Sequence, residues 1–146
     1  MKNYFNPCII LFTFFLLLTA TTRCQTHGKI FARAEADQLF GAVKDSVILP
    51  VSELHDFLDQ SNNFLMFSIK DGNLIVLGDE REPVYPDSIS VPSTDVFEVF
   101  SKSIITELLK SDGPGVVYIE KRKSVLTITF GKLILEQGAN CPPFCP

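Results

Sequence analysis

The amino-acid sequence predicts a single α+β domain, built from two β-α-β-β-like units whose helices cover one face of a mainly antiparallel sheet. Residues 64–78 form two apolar, β-rich runs on either side of Asp71-Gly72, where glycine accepts the positive φ of a hairpin turn. Residues 52–60 carry apolar side chains at helical spacing after a serine that suits an N-cap. Residues 115–136 read as a three-strand meander, so helix and strand patterns alternate along the chain.

Residues 1–24 have the layout of a secretory signal peptide. Lys2 precedes an apolar run, and small and hydroxylated residues follow at 19–22. The apolar run is shorter than the roughly 20 residues that a helix needs to cross a bilayer. Cleavage after Cys24 would leave Gln25 as the N-terminus, and the chain would be secreted, periplasmic or associated with the cell envelope. Lipidation of Cys24 is the alternative.

The charge of the cleaved chain argues against two classes of partner. Cleavage removes two of the 13 basic residues and none of the 17 acidic ones, so the net charge falls from −4 to −6. A negative protein is not drawn to nucleic acid or anionic lipid by its overall field. The remaining length suits one domain, which we place at 25–136, followed by a C-terminal tail at 137–146.

The elements are predicted in the following order. A helix at 34–43 directs Leu39, Phe40 and Val43 toward a core, and a short strand at 46–50 ends in proline. The further elements are a helix at 52–60, the hairpin at 64–78, a linker at 79–86, a strand at 88–92, one or two helices within 93–113, strands at 115–121, 124–130 and 132–136, and a tail without periodicity.

The two units, approximately 45–78 and 87–136, are related by a gapless alignment. Residues 45–61 match 87–103 at four identical positions, with similar residues at several others. Duplication predicts that Leu54 and Val96 are equivalent buried residues, as are Leu58 and Phe100. It also directs four acidic residues to solvent: Glu53, Asp56, Asp95 and Glu98. The alternative is that strand, proline, cap and amphipathic helix are a common local order that arose twice.

The cysteines favour a structural disulfide. Cys8 and Cys24 lie within the predicted signal peptide, so Cys141 and Cys145 are the pair left to form a bridge in an oxidising compartment. A zinc site needs about four ligands, and the chain offers only His27 and His55 beside this pair. The spacing is C-x-x-x-C with two prolines inside, unlike the C-x-x-C helix start of thioredoxin-like sites. We therefore predict a local staple, with redox and metal roles as alternatives.

No catalytic, cofactor-binding or metal-binding residues are predicted. The glycine-rich phosphate and dinucleotide motifs and the nucleophile elbow are missing from the sequence. His55 could act as a base oriented by Asp56 or Asp59, but a surface position is expected. The acidic residues of the predicted helices are expected to interact favourably with the helix dipole. Residues 71–73 are expected to form a hairpin turn and not a calcium-binding loop.

One local charge cluster contrasts with the acidic chain. Residues 120–123, with the sequence EKRK, place three cations at a predicted strand turn. This basic spot could face an acidic partner or the chain's own acidic segment at 79–82, and a solvated turn is the expected interpretation.

These patterns predict a small exported protein that acts as a non-catalytic binding, inhibitory or envelope-associated module with a protein partner. A small secreted hydrolase with a carboxylate or His55 site is one alternative, and a lipoprotein subunit of a surface complex is another. A pocket that joins His55 to two carboxylates would favour the hydrolase. A flat sheet face or an exposed edge strand would favour the binding module.

The signal-peptide interpretation predicts a new N-terminus at or near Gln25 in protein taken from the native host. N-terminal sequencing and intact mass measure it directly. An intact Met1 on cytoplasmic protein would contradict export, and a diacylglyceryl mass on Cys24 would establish the lipoprotein alternative.

Overall fold

The structure, a computed structural model, describes residues 26–142 and 144–146. This part of the chain forms one α+β domain, as predicted, and it contains three α-helices and ten strands. The helices are α1 (Arg33–Phe40), α2 (Val51–Asp59) and α3 (Lys102–Leu109). The predicted signal peptide, with Cys8, Cys24 and its cleavage site, lies outside the described residues.

All strand pairs in the described chain are antiparallel, but the strands form two sheets rather than one. The strands are β1 (Lys29–Ala32), β2 (Asp45–Pro50), β3 (Phe64–Lys70), β4 (Asn73–Leu77), β5 (Pro83–Tyr85), β6 (Phe97–Ser101), β7 (Val116–Lys121), β8 (Leu126–Phe130), β9 (Leu133–Glu136) and β10 (Ala139–Cys141). Sheet I has the order β1-β9-β8-β7-β2, and sheet II has the order β10-β6-β3-β4-β5.

Each half of the chain contributes its first strand to the other half's sheet. The order strand, helix and three strands occurs twice, as β2-α2-β3-β4-β5 and as β6-α3-β7-β8-β9. Strand β2 pairs with β7 of the second half, and β6 pairs with β3 of the first. Neither half can therefore complete its sheet alone.

A single large core joins both sheets and two helices. Its members come from α2 and α3 and from strands of both sheets, including Leu54, Phe67, Ile105 and Ile128, all of which are fully buried. This arrangement confirms the predicted common core.

The outer face of each sheet carries its own cover. On sheet I, Phe31 and Ile134 pack against Ala36 and Phe40 of α1. On sheet II, Met66, Phe97 and Val99 pack with Cys141, and residues of the 86–96 segment and the tail lie against them. The tail, whose sequence shows no periodicity, thus contains β10, which pairs with β6.

The greatest departure from the sequence prediction lies in residues 88–109. The predicted strand at 88–92 is irregular, and the first part of the predicted helix is strand β6. Both faces of β6 are buried, with Phe97 and Val99 on the outer side of sheet II and Phe100 in the main core. An apolar run buried on both faces has no period that separates strand from helix.

This shift overturns the register of the proposed duplication. The alignment pairs β2 with the irregular 87–92 and the second half of α2 with β6. Leu54 is fully buried whereas Val96 is 57% exposed, so these two positions are not equivalent. Leu58 and Phe100 are both buried, but one lies on a helix and the other on a strand. The repeated element order leaves duplication a hypothesis.

Two smaller predictions also need correction. The apolar side of α1 is formed by Ala36 and Phe40, whereas Leu39 is 59% exposed and Val43 is also exposed. The predicted linker at 79–86 contains a 3-10 turn, Asp79–Arg81, and strand β5. Strand β1 lies between the predicted signal peptide and the first predicted helix, where no element was predicted.

The position of β6 can be tested by truncating side chains. Phe100→Ala and Leu58→Ala should each lower the free energy of unfolding by roughly 2–5 kcal/mol, because both side chains lie in the core. Val96→Ala should change it by less than about 0.5 kcal/mol, since this side chain is exposed. Chemical denaturation measures all three. Equal losses for Val96→Ala and Phe100→Ala would contradict the observed register.

Candidate functional site

The residues considered from sequence for acid–base chemistry do not converge. His55, Asp56 and Asp59 are exposed on α2, and no hydrogen bond or ion pair in the described chain links His55 to a carboxylate. Asp95 forms an ion pair with Lys70, with Oδ2 and Nζ 3.1 Å apart. The expected surface position of His55 is therefore confirmed, and the hydrolase that depends on it gains no support.

Asp71 and Gly72 form the β3–β4 turn, as predicted, and Asn73 begins β4. Asp71 and Gly72 have φ values of 53° and 76°, which is the left-handed backbone of a two-residue hairpin loop. Within the described residues, no group of three or more His, Cys, Asp or Glu side chains is arranged to hold a metal ion. No helix in this part of the chain is long and apolar enough to cross a membrane.

Only two of the four residues in the EKRK segment, 120–123, are exposed at the surface. Lys121 and Lys123 are exposed, but Glu120 and Arg122 are buried on the outer face of sheet I. The alternation follows from strand geometry, which sends successive side chains to opposite faces. The sequence interpretation of a continuous basic spot is therefore wrong for Arg122, whose side chain is fully buried.

The buried Arg122 guanidinium is held by acceptors from α1 and its end and from strand β7. Nη1 donates to Asp37 Oδ1 at 2.8 Å and to the Gly41 carbonyl at the end of α1. Nη2 donates to Glu120 Oε2 at 3.1 Å, and that oxygen also accepts a hydrogen bond from Thr129 at 2.8 Å. These partners compensate the loss of hydration of the buried guanidinium. Removal of one of them would leave part of the charge uncompensated and would destabilise the folded protein.

Two further carboxyl groups lie at this end of sheet I. Glu136 is 3% exposed, and its Oε2 has no hydrogen-bond partner among the described residues. Burial raises the pKa of Glu136, although the Gln137 N–H and the Arg122 charge oppose the rise. Burial, together with the nearby charge of Glu136, raises the pKa of Glu98 to about 7, with the Leu126 N–H opposing it. The prediction that Glu98 points to solvent is therefore wrong, because this side chain is half-buried.

Glu98 borders an open cleft between the two sheets. This cleft, of about 250 Å³, lies between β6 and the β7–β8 turn, where Lys121 and Lys123 also line it. A carboxyl group that titrates near neutral pH can donate or accept a proton. The sequence did not predict this pair of carboxyl groups, because Glu98 and Glu136 are 38 positions apart and only the fold brings them together.

A larger cleft runs along the edge strand β2. It has a volume of about 450 Å³ and lies where β2 of sheet I faces the β3–β4 turn and the end of β5. Its walls include two exposed apolar side chains, Ile48 at 61% and Tyr85 at 41% exposure. Glu53 and Asp71 add carboxylates, while the cleft's Lys70 pairs with Asp95.

The edge of β2 is blocked at both ends and open in the middle. The Ser46 N–H donates to Asp45 Oδ1, and Pro50 has no N–H to offer. Val51 N–H bonds to the Gly115 carbonyl of the neighbouring chain segment. Because ladder bonds alternate along an antiparallel strand, the backbone groups of Ile48 point away from β7. Only a short extended segment can pair there.

No family model matches the chain, and no curated protein or solved structure shows significant similarity to it.

The Glu98 carboxyl predicts a specific dependence of stability on pH. Its pKa is about 7 in the folded state and near 4.5 when unfolded, so between these values the folded protein binds the extra proton. The free energy of unfolding should therefore fall as pH rises from about 4.5 to 7, and Glu136 acts in the same direction. Glu98→Gln keeps the neutral shape, so at pH 8 it should be more stable than the parent by about 2 kcal/mol.

Denaturant titrations from pH 4 to pH 8 measure this effect. Glu107→Gln is the matched control, because Glu107 is exposed on α3. Parallel pH profiles for the parent and Glu98→Gln would contradict the assignment of the raised pKa to Glu98.

Proposed function

We propose that this chain is a small exported, non-catalytic binding module whose ligand is an extended peptide segment of a partner protein. The observation that carries the proposal is the cleft beside the open middle of edge strand β2. Exposed edge strands accept extended segments through main-chain hydrogen bonds, and neighbouring pockets select the side chains.

The chemistry of the cleft defines the segment it suits. Ile48 and Tyr85 offer apolar contact area, and Tyr85 is backed by Phe57, whose ring centroid lies 5.5 Å away. Glu53 and Asp71 give the walls a negative charge that matches the acidic balance of the chain. A segment in which apolar residues alternate with lysine or arginine would place one kind of side chain on the apolar wall and the other near the carboxylates.

The second candidate function is a hydrolase that uses Glu98, favoured by the raised pKa of this carboxyl beside a cleft. Glu98 would act as a general acid, with Glu136 nearby. The geometry supports this hydrolase less well than the binding module. No hydrogen bond in the described chain joins Glu98 to a nucleophile or to an oriented base. Glu98→Gln separates the two candidates, since it should abolish hydrolysis but leave peptide binding unchanged.

The binding proposal is tested with a random seven-residue peptide library selected against the exported protein. We expect enriched peptides that alternate apolar and basic residues and that bind less tightly at higher salt. Ile48→Ala combined with Tyr85→Ala should weaken them by about tenfold or more, because it removes the apolar wall.

Leu39→Ala is the matched control, since Leu39 is as exposed as Ile48 but lies on α1, outside the cleft. Peptides that bind the double variant as tightly as the parent would place the ligand surface elsewhere. A library that yields no enriched sequence would overturn the proposal.

A further inference from the structure

The two sulfurs of the C-terminal disulfide occupy unlike environments. Cys141 and Cys145 are bridged as predicted, with Cα atoms 4.8 Å apart. Cys141 is fully buried in the cluster on the outer face of sheet II, whereas Cys145 is exposed. A thiol arriving from solvent therefore has access to Cys145 and not to Cys141.

A guanidinium group lies against the buried sulfur. Arg81 Nη1 is 3.0 Å from Cys141 Sγ and 3.9 Å from Cys145 Sγ. The ion pairs found among the described residues do not include Arg81, so no carboxylate in this part of the chain neutralises it. The hydrogen-bond partners of its guanidinium are the two sulfurs and backbone carbonyls.

The Arg81 side chain is fixed in this position. Nη2 donates to the carbonyls of Pro92 at 3.0 Å and Asp95 at 3.3 Å, and the guanidinium lies 5.1 Å from the centroid of the Phe97 ring. Arg81 also has a positive φ of 62°, which is uncommon outside glycine. A local staple alone does not require a cation held at the sulfur in this way.

We propose that Cys141–Cys145 is a thiol–disulfide exchange site for small thiols, in which Cys145 is attacked and Cys141 leaves as a thiolate stabilised by Arg81. The incoming thiolate forms a bond to Cys145 Sγ, and the electron pair of the broken S–S bond passes to Cys141 Sγ. The products are a mixed disulfide on Cys145 and the Cys141 thiolate. A second thiol then attacks the mixed disulfide, which leaves Cys145 reduced and releases the external disulfide.

The position of Arg81 matches the charge that this step creates. Exchange is faster when the departing thiol is more acidic, and a nearby cation lowers the pKa of a thiol. Arginine remains charged at every relevant pH, so its effect does not depend on a further proton. The Arg81 charge should therefore favour the Cys141 thiolate relative to a protein that lacks this charge, and so speed the exchange.

The first experiment uses the full exported protein and glutathione. After brief exposure to glutathione, the reaction is quenched with acid and free thiols are labelled with a maleimide. Mass spectrometry should then locate glutathione on Cys145 and the maleimide on Cys141. Glutathione on Cys141 would overturn the proposal, as would a disulfide that resists reduction in the folded protein but is reduced once the protein is unfolded. This mapping needs no variant and so does not depend on one that folds.

The second experiment compares rates of reduction. Arg81→Gln, which keeps donors but loses the charge, should slow reduction by about three- to tenfold and raise the pKa of the Cys141 thiol. Arg81→Lys should retain most of the parent rate, which separates charge from hydrogen bonding. Arg33→Gln is the control, because Arg33 lies beside Glu120 on sheet I. Equal rates for the parent and Arg81→Gln would overturn the role of Arg81.

Discussion

The exchange of first strands between the two halves is the constraint on which the rest of this structure depends. Because β2 completes the sheet of β7–β9 and β6 completes that of β3–β5, each half satisfies the backbone groups of the other. The two helices then bury Leu54 and Ile105 in one core instead of two. Main-chain pairing across the halves thus fixes the single domain, and it leaves each sheet with an outer face that needs its own cover.

The two outer faces are covered by different means. On sheet I, α1 brings Asp37 to the buried Arg122, so the cover is held partly by a charged network. On sheet II, the tail brings Cys141 onto apolar side chains, and a disulfide closes the turn behind it. The bridge spans a very short loop, so it contributes only about 2 kcal/mol through chain entropy. Strand β10 and the buried Cys141 therefore supply much of the tail's attachment.

The sequence predicted those elements whose signals are local. The hairpin about Asp71-Gly72 and the meander at 116–136 appeared as expected, because turn residues and apolar runs define them. Strand β6 did not, since burial on both faces removes the alternation that marks a strand. The carboxyl cluster was also out of reach, because Glu98 and Glu136 meet only through the pairing of distant strands. Arg122 shows the same limit, since Asp37 lies 85 positions away.

The segment at 86–96 contacts both regions for which a function is proposed. Pro86 and Ile89 line the β2 cleft, whereas the carbonyls of Pro92 and Asp95 hold Arg81 beside the disulfide. The Asp95 carboxylate also pairs with Lys70 in the cleft wall. Displacement of this segment at the cleft would therefore also displace the carbonyls that hold Arg81. If ligand binding and disulfide reduction both displace this segment, linkage requires each to change the free energy of the other by the same amount.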